Sequence, residues 1–146
     1  MSNLVAERIE SVKAGLVGAI AFTIADMVVI LLNNLIFVSW GIGFSLLQVT
    51  SQLGGLITIG TALVSGFLFG VTYRYIIRSD RNSHLKDGAV MAFGLVRGLA
   101  FLEATEIKSG QFWSVGILIA ETIICFAIAR YCLDFALGRK LIKPFL

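Results

Sequence analysis

Four apolar runs, at 14–38, 53–77, 88–105 and 112–136, divide the chain, and short polar stretches separate them. Each is near or above the ~20 residues that a helix needs to cross a hydrocarbon core of ~30 Å, the third being the shortest. A chain written this way has little choice of fold. In lipid every backbone polar group must be satisfied within the segment, which for runs of this length means helices. Composition agrees: 58% of the 146 residues are hydrophobic and 14% charged, outside the range of an ordinary soluble domain. The expected fold is all-α, an integral membrane four-helix bundle forming a single domain over 1–146. The first run follows a mixed-charge start, with Glu7, Arg8, Glu10 and Lys13, and reads as a retained span, not a signal peptide.

Orientation follows from the cations. Arg8, Lys13, Arg74, Arg78, Arg81, Lys86, Arg130, Arg139, Lys140 and Lys143 fall on one side, and Lys108 alone on the other. The positive-inside rule therefore places both termini inside. Trp40, Phe112 and Trp113 fall at the outer ends, and Tyr73, Tyr75 and Tyr131 at the inner ends, as interfacial belts require. The uncharged outer connection 39–52 reads as an interfacial turn held by Trp40 and Phe44, with a re-entrant pore element as the rival. Matching VKAGLVGAIAF at 12–22 with LKDGAVMAFGL at 85–95 allows two helical hairpins of the same orientation, related by an axis along the membrane normal.

Small residues recur at every fourth position of the second run, Gly54, Thr58, Ala62, Gly66 and Gly70, and again at Gly94 and Gly98 in the third. On a helix this spacing makes one face that a second backbone can approach closely, the main route to helix association in lipid. That face serves either the bundle itself or the docking of a homo-oligomer or partner helix.

The third run contains GAVMAFGLVRGLAFL, fourteen apolar or glycine residues around Arg97. A guanidinium stays charged and is costly at mid-membrane unless paired. Counted at ~1.5 Å per residue from the inner edge, Arg97 lies ~16 Å beyond Lys86, Asp26 ~20 Å beyond Lys13, and Glu121 ~14 Å above Arg130. This coincidence of depth predicts a buried charge cluster in which Arg97 is held between Asp26 and Glu121, since an arginine fork satisfies two carboxylates. Such a cluster is either a static device fixing helix register or a proton- or cation-binding element. The inner connection carries Arg78, Arg81 and Lys86, suited to lipid phosphates or a partner's acidic loop, together with Ser79, Asp80, Asn82 and Ser83 as turn and helix-capping residues.

Little catalytic chemistry is written here. His84, the lone histidine, lies in the inner connection, so neither intramembrane haem ligation nor a clustered His/Cys metal site is expected. Phosphate-loop, HExxH and GxSxG motifs are missing. No catalytic residue, metal or other cofactor is therefore expected, and no basic patch points to nucleic acid. Cys125 and Cys132, seven residues apart, read as buried free thiols.

The stretch HLKDGAVMAFGLVRGLA, following YRYIIRSDRN, resembles a family of small, uncharacterised four-span membrane proteins of cyanobacteria and plastids. The resemblance covers about thirty residues of the inner loop and third helix. It implies a thylakoid or plasma membrane setting and a link to photosynthetic complexes, and it supplies no catalytic residue. Together these readings lead to a non-enzymatic accessory or assembly subunit whose partners are membrane lipid and either a larger membrane complex or its own copies. The rival is a small proton- or ion-coupled transporter or oligomeric channel built on Asp26, Arg97 and Glu121.

Overall fold

A computed structural model describes residues 2–40, 52–77, 82–103 and 112–145. It contains four helices: α1 (Ser2–Trp40), α2 (Gln52–Ile77), α3 (Ser83–Glu103) and α4 (Phe112–Gly138). Three include segments long and apolar enough to cross a membrane, Leu4–Ile36, Leu53–Ile77 and Phe112–Gly138. The apolar stretch of α3 is shorter and interrupted by Arg97, so α3 does not reach the same standard. The connection 39–52, apart from its helical ends, lies outside the described residues, as do Ser79, Asp80 and residues 104–111 before α4.

The packing is that of two hairpins. α1 runs along α2 and α3 along α4, and the hairpins meet chiefly through α1 and α4, while α2 and α3 touch only slightly. Small residues make the close approaches. A Cβ added at Gly66 would lie 2.6 Å from the Gly18 carbonyl oxygen and 2.8 Å from Ala19 Cα; one added at Gly70 would strike the Ala14 carbonyl. On α3, a Cβ at Gly94 would lie 2.8 Å from Ile123 Cα, and one at Gly98 3.0 Å from Ile119 Cγ1. The small-residue faces are thus occupied within the chain, and Ala62 is fully buried with them. Thr58 departs from this pattern: half-buried, it donates to the Gly54 carbonyl at 2.9 Å and lines a cleft between α2 and α3.

Between the hairpins sits an aromatic centre. Phe22 and Phe126 have ring centroids 4.3 Å apart, Phe69 lies 5.0 Å from Phe126, and Phe93 meets Phe69 edge-on at 5.3 Å. The large aliphatic side chains point outward instead, Ile20, Ile24, Leu31, Leu56 and Val96 among them. Such an exterior is anomalous in water and ordinary against lipid. Cys125 is buried, as expected. Cys132 is exposed, contrary to the expectation of two buried thiols, because its position on α4 faces away from the other helices.

α4 ends in a turn that matters for the site. Leu141 N–H donates to the Ala136 carbonyl at 3.0 Å and Lys140 N–H to the Leu137 carbonyl at 3.1 Å, the paired bonds of a Schellman motif. Lys140 takes the left-handed conformation, φ 58°, where glycine is the usual residue. The turn buries Ile142 and folds the tail back against α1 and α2, where Lys143 meets Glu10 and Arg74. At the start of α3, Asn82 Oδ1 accepts from His84 N–H at 3.1 Å and caps the helix.

Candidate functional site

Buried polar groups gather in two layers. In the middle layer, Arg97 is 9% exposed and reaches away from its own hairpin. Its Nη1 donates to the Ser65 hydroxyl at 2.9 Å and the Thr61 carbonyl at 3.2 Å, both on α2, and Nη2 pairs with Asp26 on α1 at 3.4 Å. The guanidinium carbon stands 5.0 Å from the Phe22 ring centroid and 5.8 Å from that of Phe101, a cation–π cradle. Its Nε has no hydrogen-bond partner among the described residues.

Glu121 does not join this pair. Its Oε2 accepts from Asn33 Nδ2 at 3.2 Å, and it forms no ion pair with any described residue. Helix geometry gives the reason. α4 turns Ile119, Thr122 and Ile123 towards Gly94 and Gly98 of α3, with Thr122 Oγ1 donating to the Gly94 carbonyl at 2.9 Å. One residue earlier, about 100° around the helix, Glu121 faces α1. The expected three-member cluster is therefore two elements, an Asp26–Arg97 pair completed by α2 and a separate Asn33–Glu121 contact.

Arg97→Leu is expected to lower unfolding stability by about 2 kcal/mol, since Asp26 and the Thr61 carbonyl each lose a donor. Detergent denaturation followed by circular dichroism measures this. An unchanged midpoint would show that the pair contributes nothing.

The second layer, at the helix ends that the expected topology puts inside, is larger and was not singled out from the sequence. Arg74, only 1% exposed, is its centre. Its Nη2 pairs with the Glu7 carboxylate, Nη1 donates to Ser11 Oγ at 2.7 Å and the Glu7 carbonyl at 3.1 Å, and Nε donates to the Lys143 carbonyl at 2.8 Å. Phe145 packs against Tyr75, tilted at 56° with ring centroids 4.9 Å apart, and both rings flank the guanidinium. One residue thus joins α1, α2 and the returning tail. Lys143 N–H donates to Glu10 at 2.8 Å, and Glu10 also pairs with Lys13 at 2.8 Å.

Alongside it, Asp134 on α4 accepts from Tyr73 on α2 at 2.8 Å and from Lys86 on α3 at 3.0 Å. Arg130 pairs with Asp87 and lies 3.8 Å from Asp134. Its guanidinium holds the Asp87 carboxyl below the usual carboxylate range, chiefly by hydrogen bonding. Lys86, read from the sequence as a docking cation, is half-buried and engaged inside the chain. Arg78 and Arg81 lie outside the described residues.

A signal for this layer was present in the sequence. At this side of the bundle α1, α3 and α4 each carry an acid beside their cations, at Glu7, Glu10, Asp87 and Asp134. Counting cations for topology treats them as solvated and leaves those acids unused. Among the described residues no three His, Cys, Asp or Glu side chains converge as a metal site. Comparison with protein-family models, curated proteins and solved structures finds no match for the chain.

Proposed function

We propose that this chain is a non-enzymatic membrane protein with four spans and both termini inside, acting as an accessory or assembly subunit of a larger membrane complex. A thylakoid or cyanobacterial plasma membrane is the setting implied by the resemblance of 73–100. In this arrangement α3 crosses as the third span, its one deep charge neutralised by Asp26.

The observation that carries the reading is the inner end of α1. The helix is 39 residues long, ~58 Å at ~1.5 Å per residue, against a hydrocarbon core of ~30 Å. Arg74 meets α1 at Glu7 and Ser11, so with this layer taken as the inner edge the residues before Glu7 extend past it. There Leu4 and Val5 remain exposed, both above half, and Ile9 is exposed at the level of the layer itself. Apolar side chains exposed beyond the hydrocarbon region favour cover by protein.

The test is native mass and co-purification of the tagged full-length chain extracted in mild detergent. Stoichiometric migration with a larger complex is expected, and Ile9→Glu is expected to release the chain while leaving its helicity and denaturation midpoint unchanged. Migration as a bare monomer, or a complex indifferent to Ile9→Glu, would sink the reading.

The transporter reading keeps one observation in its favour: Glu121 is held by the neutral Asn33 and not by a cation. An intramembrane carboxyl without a counter-ion is a common feature of proton pathways. On that reading Glu121→Gln abolishes proton-coupled flux in liposomes. On the accessory reading wild type and variant are equally silent.

A further inference from the structure

The slight contact between α2 and α3 leaves a cleft of about 550 Å³, within the range of small-molecule sites and built like them, apolar with a few convergent polar groups. Phe93, Phe101 and Phe126 contribute aromatic surface, Ala100 lies on the α3 side, and Ser65 and Arg97 supply polar atoms. Counted from Arg74, Ser65 lies nine residues outward, ~14 Å into a core of ~30 Å. The polar part of the cleft is therefore at mid-membrane.

Ser65 is the informative residue. Its oxygen accepts from Arg97 Nη1, which polarises the hydroxyl. Thr58 and Thr61 return their hydroxyl protons to backbone carbonyls of their own helix, whereas Ser65 donates to no described residue. A donor strengthened by a buried cation thus lines an apolar cleft without an acceptor.

We propose that this cleft binds a lipophilic carbonyl compound of the quinone class, with its carbonyl oxygen accepting from Ser65 and its ring among the phenylalanines. Three arguments narrow the occupant. An anionic head is disfavoured because Asp26 already balances Arg97, and a further carboxylate would leave net negative charge at mid-membrane. An acyl ester of a bilayer lipid carries its carbonyl at the interface, roughly half the core thickness away. A molecule dissolved in the hydrocarbon core brings its carbonyl to this depth, and a flat ring makes use of three aromatic walls. The assignment stands independently of the accessory reading, since a subunit with or without this ligand docks by the same α1 edge.

The test uses the full-length chain in nanodiscs of ether-linked phospholipid, which has no ester carbonyl, titrated with decylubiquinone and corrected for uptake by empty discs. Saturable binding in excess of the empty discs is expected. Ser65→Ala is expected to weaken it about fivefold or more, the scale of one lost hydrogen bond, and Ala100→Trp, which fills the cleft, at least tenfold. Helicity and elution volume report whether each variant folds; Val96→Phe replaces Ala100→Trp if the latter does not. Lack of saturable binding, or equal binding by Ser65→Ala, overturns the proposal. So does loss of binding in discs of ester lipid, which would make an acyl ester the occupant.

Discussion

Arg74→Leu is expected to be the most damaging single substitution in the inner layer, lowering stability by about 4 kcal/mol, as when one member of a buried ion pair is removed. The residue is 1% exposed, and four acceptors depend on it: the Glu7 carboxylate, the Glu7 and Lys143 carbonyls, and Ser11. Leucine fills part of the volume and satisfies none of them. Arg74→Lys keeps the charge but loses the planar fork that reaches α1 and the tail together, so a loss of roughly half that size is expected. Lys13→Ala is the contrast. Lys13 is half exposed and pairs within α1, a surface arrangement worth less than ~1 kcal/mol.

Denaturation midpoints in mixed micelles rank the three. Limited trypsin digestion adds a local readout at Arg139 and Lys140, because the tail that follows them is held down through Arg74. Faster cleavage there is expected in Arg74→Leu. Wild-type midpoint and digestion in that variant would show that the layer is decoration.

The sequence announced the helices because lipid leaves few alternatives, and it announced Arg97 because one charge among fourteen apolar or glycine residues has no ordinary explanation. It placed Asp26 and Arg97 at one depth, and the two side chains pair. Depth, however, is only one coordinate. Which way a side chain faces depends on helix rotation, and rotation is set by glycine contacts such as Gly94 and Gly98 against α4, which bring Thr122 to α3 and carry Glu121 round to α1. The acceptors supplied by α2, Ser65 and a main-chain carbonyl at Thr61, were illegible for a related reason: neither stands out among apolar neighbours until a guanidinium arrives. At the inner edge the difficulty was different. Arg74, Lys86 and Arg130 had already been assigned a topological meaning, and a cation that reports orientation is equally able to pair with Glu7, Asp134 or Asp87.

Gly70→Val is the corresponding test of the packing, with an expected loss of about 3 kcal/mol, the upper part of the usual range for overpacking. What the new side chain meets sets the magnitude. A Cβ at Gly70 would strike the Ala14 carbonyl and lie 3.1 Å from Gly15 Cα; one at Gly18 would strike the Gly66 carbonyl and lie 2.9 Å from Gly70 Cα. These neighbours are backbone, so no rotamer change relieves them and the helices must separate along their length. Separation also withdraws the α1 groups from Arg74, four residues along α2, so packing and inner-layer losses couple and exceed their separate values. Gly60→Ala is the control on the same helix: nothing lies within 4 Å of its added Cβ, and alanine is the better helix former. Its midpoint is expected to equal or exceed that of wild type. Cross-linking of a cysteine pair placed across α1 and α2 follows the separation directly, and equal yields in Gly70→Val and Gly60→Ala would refute backbone contact as the force holding this hairpin.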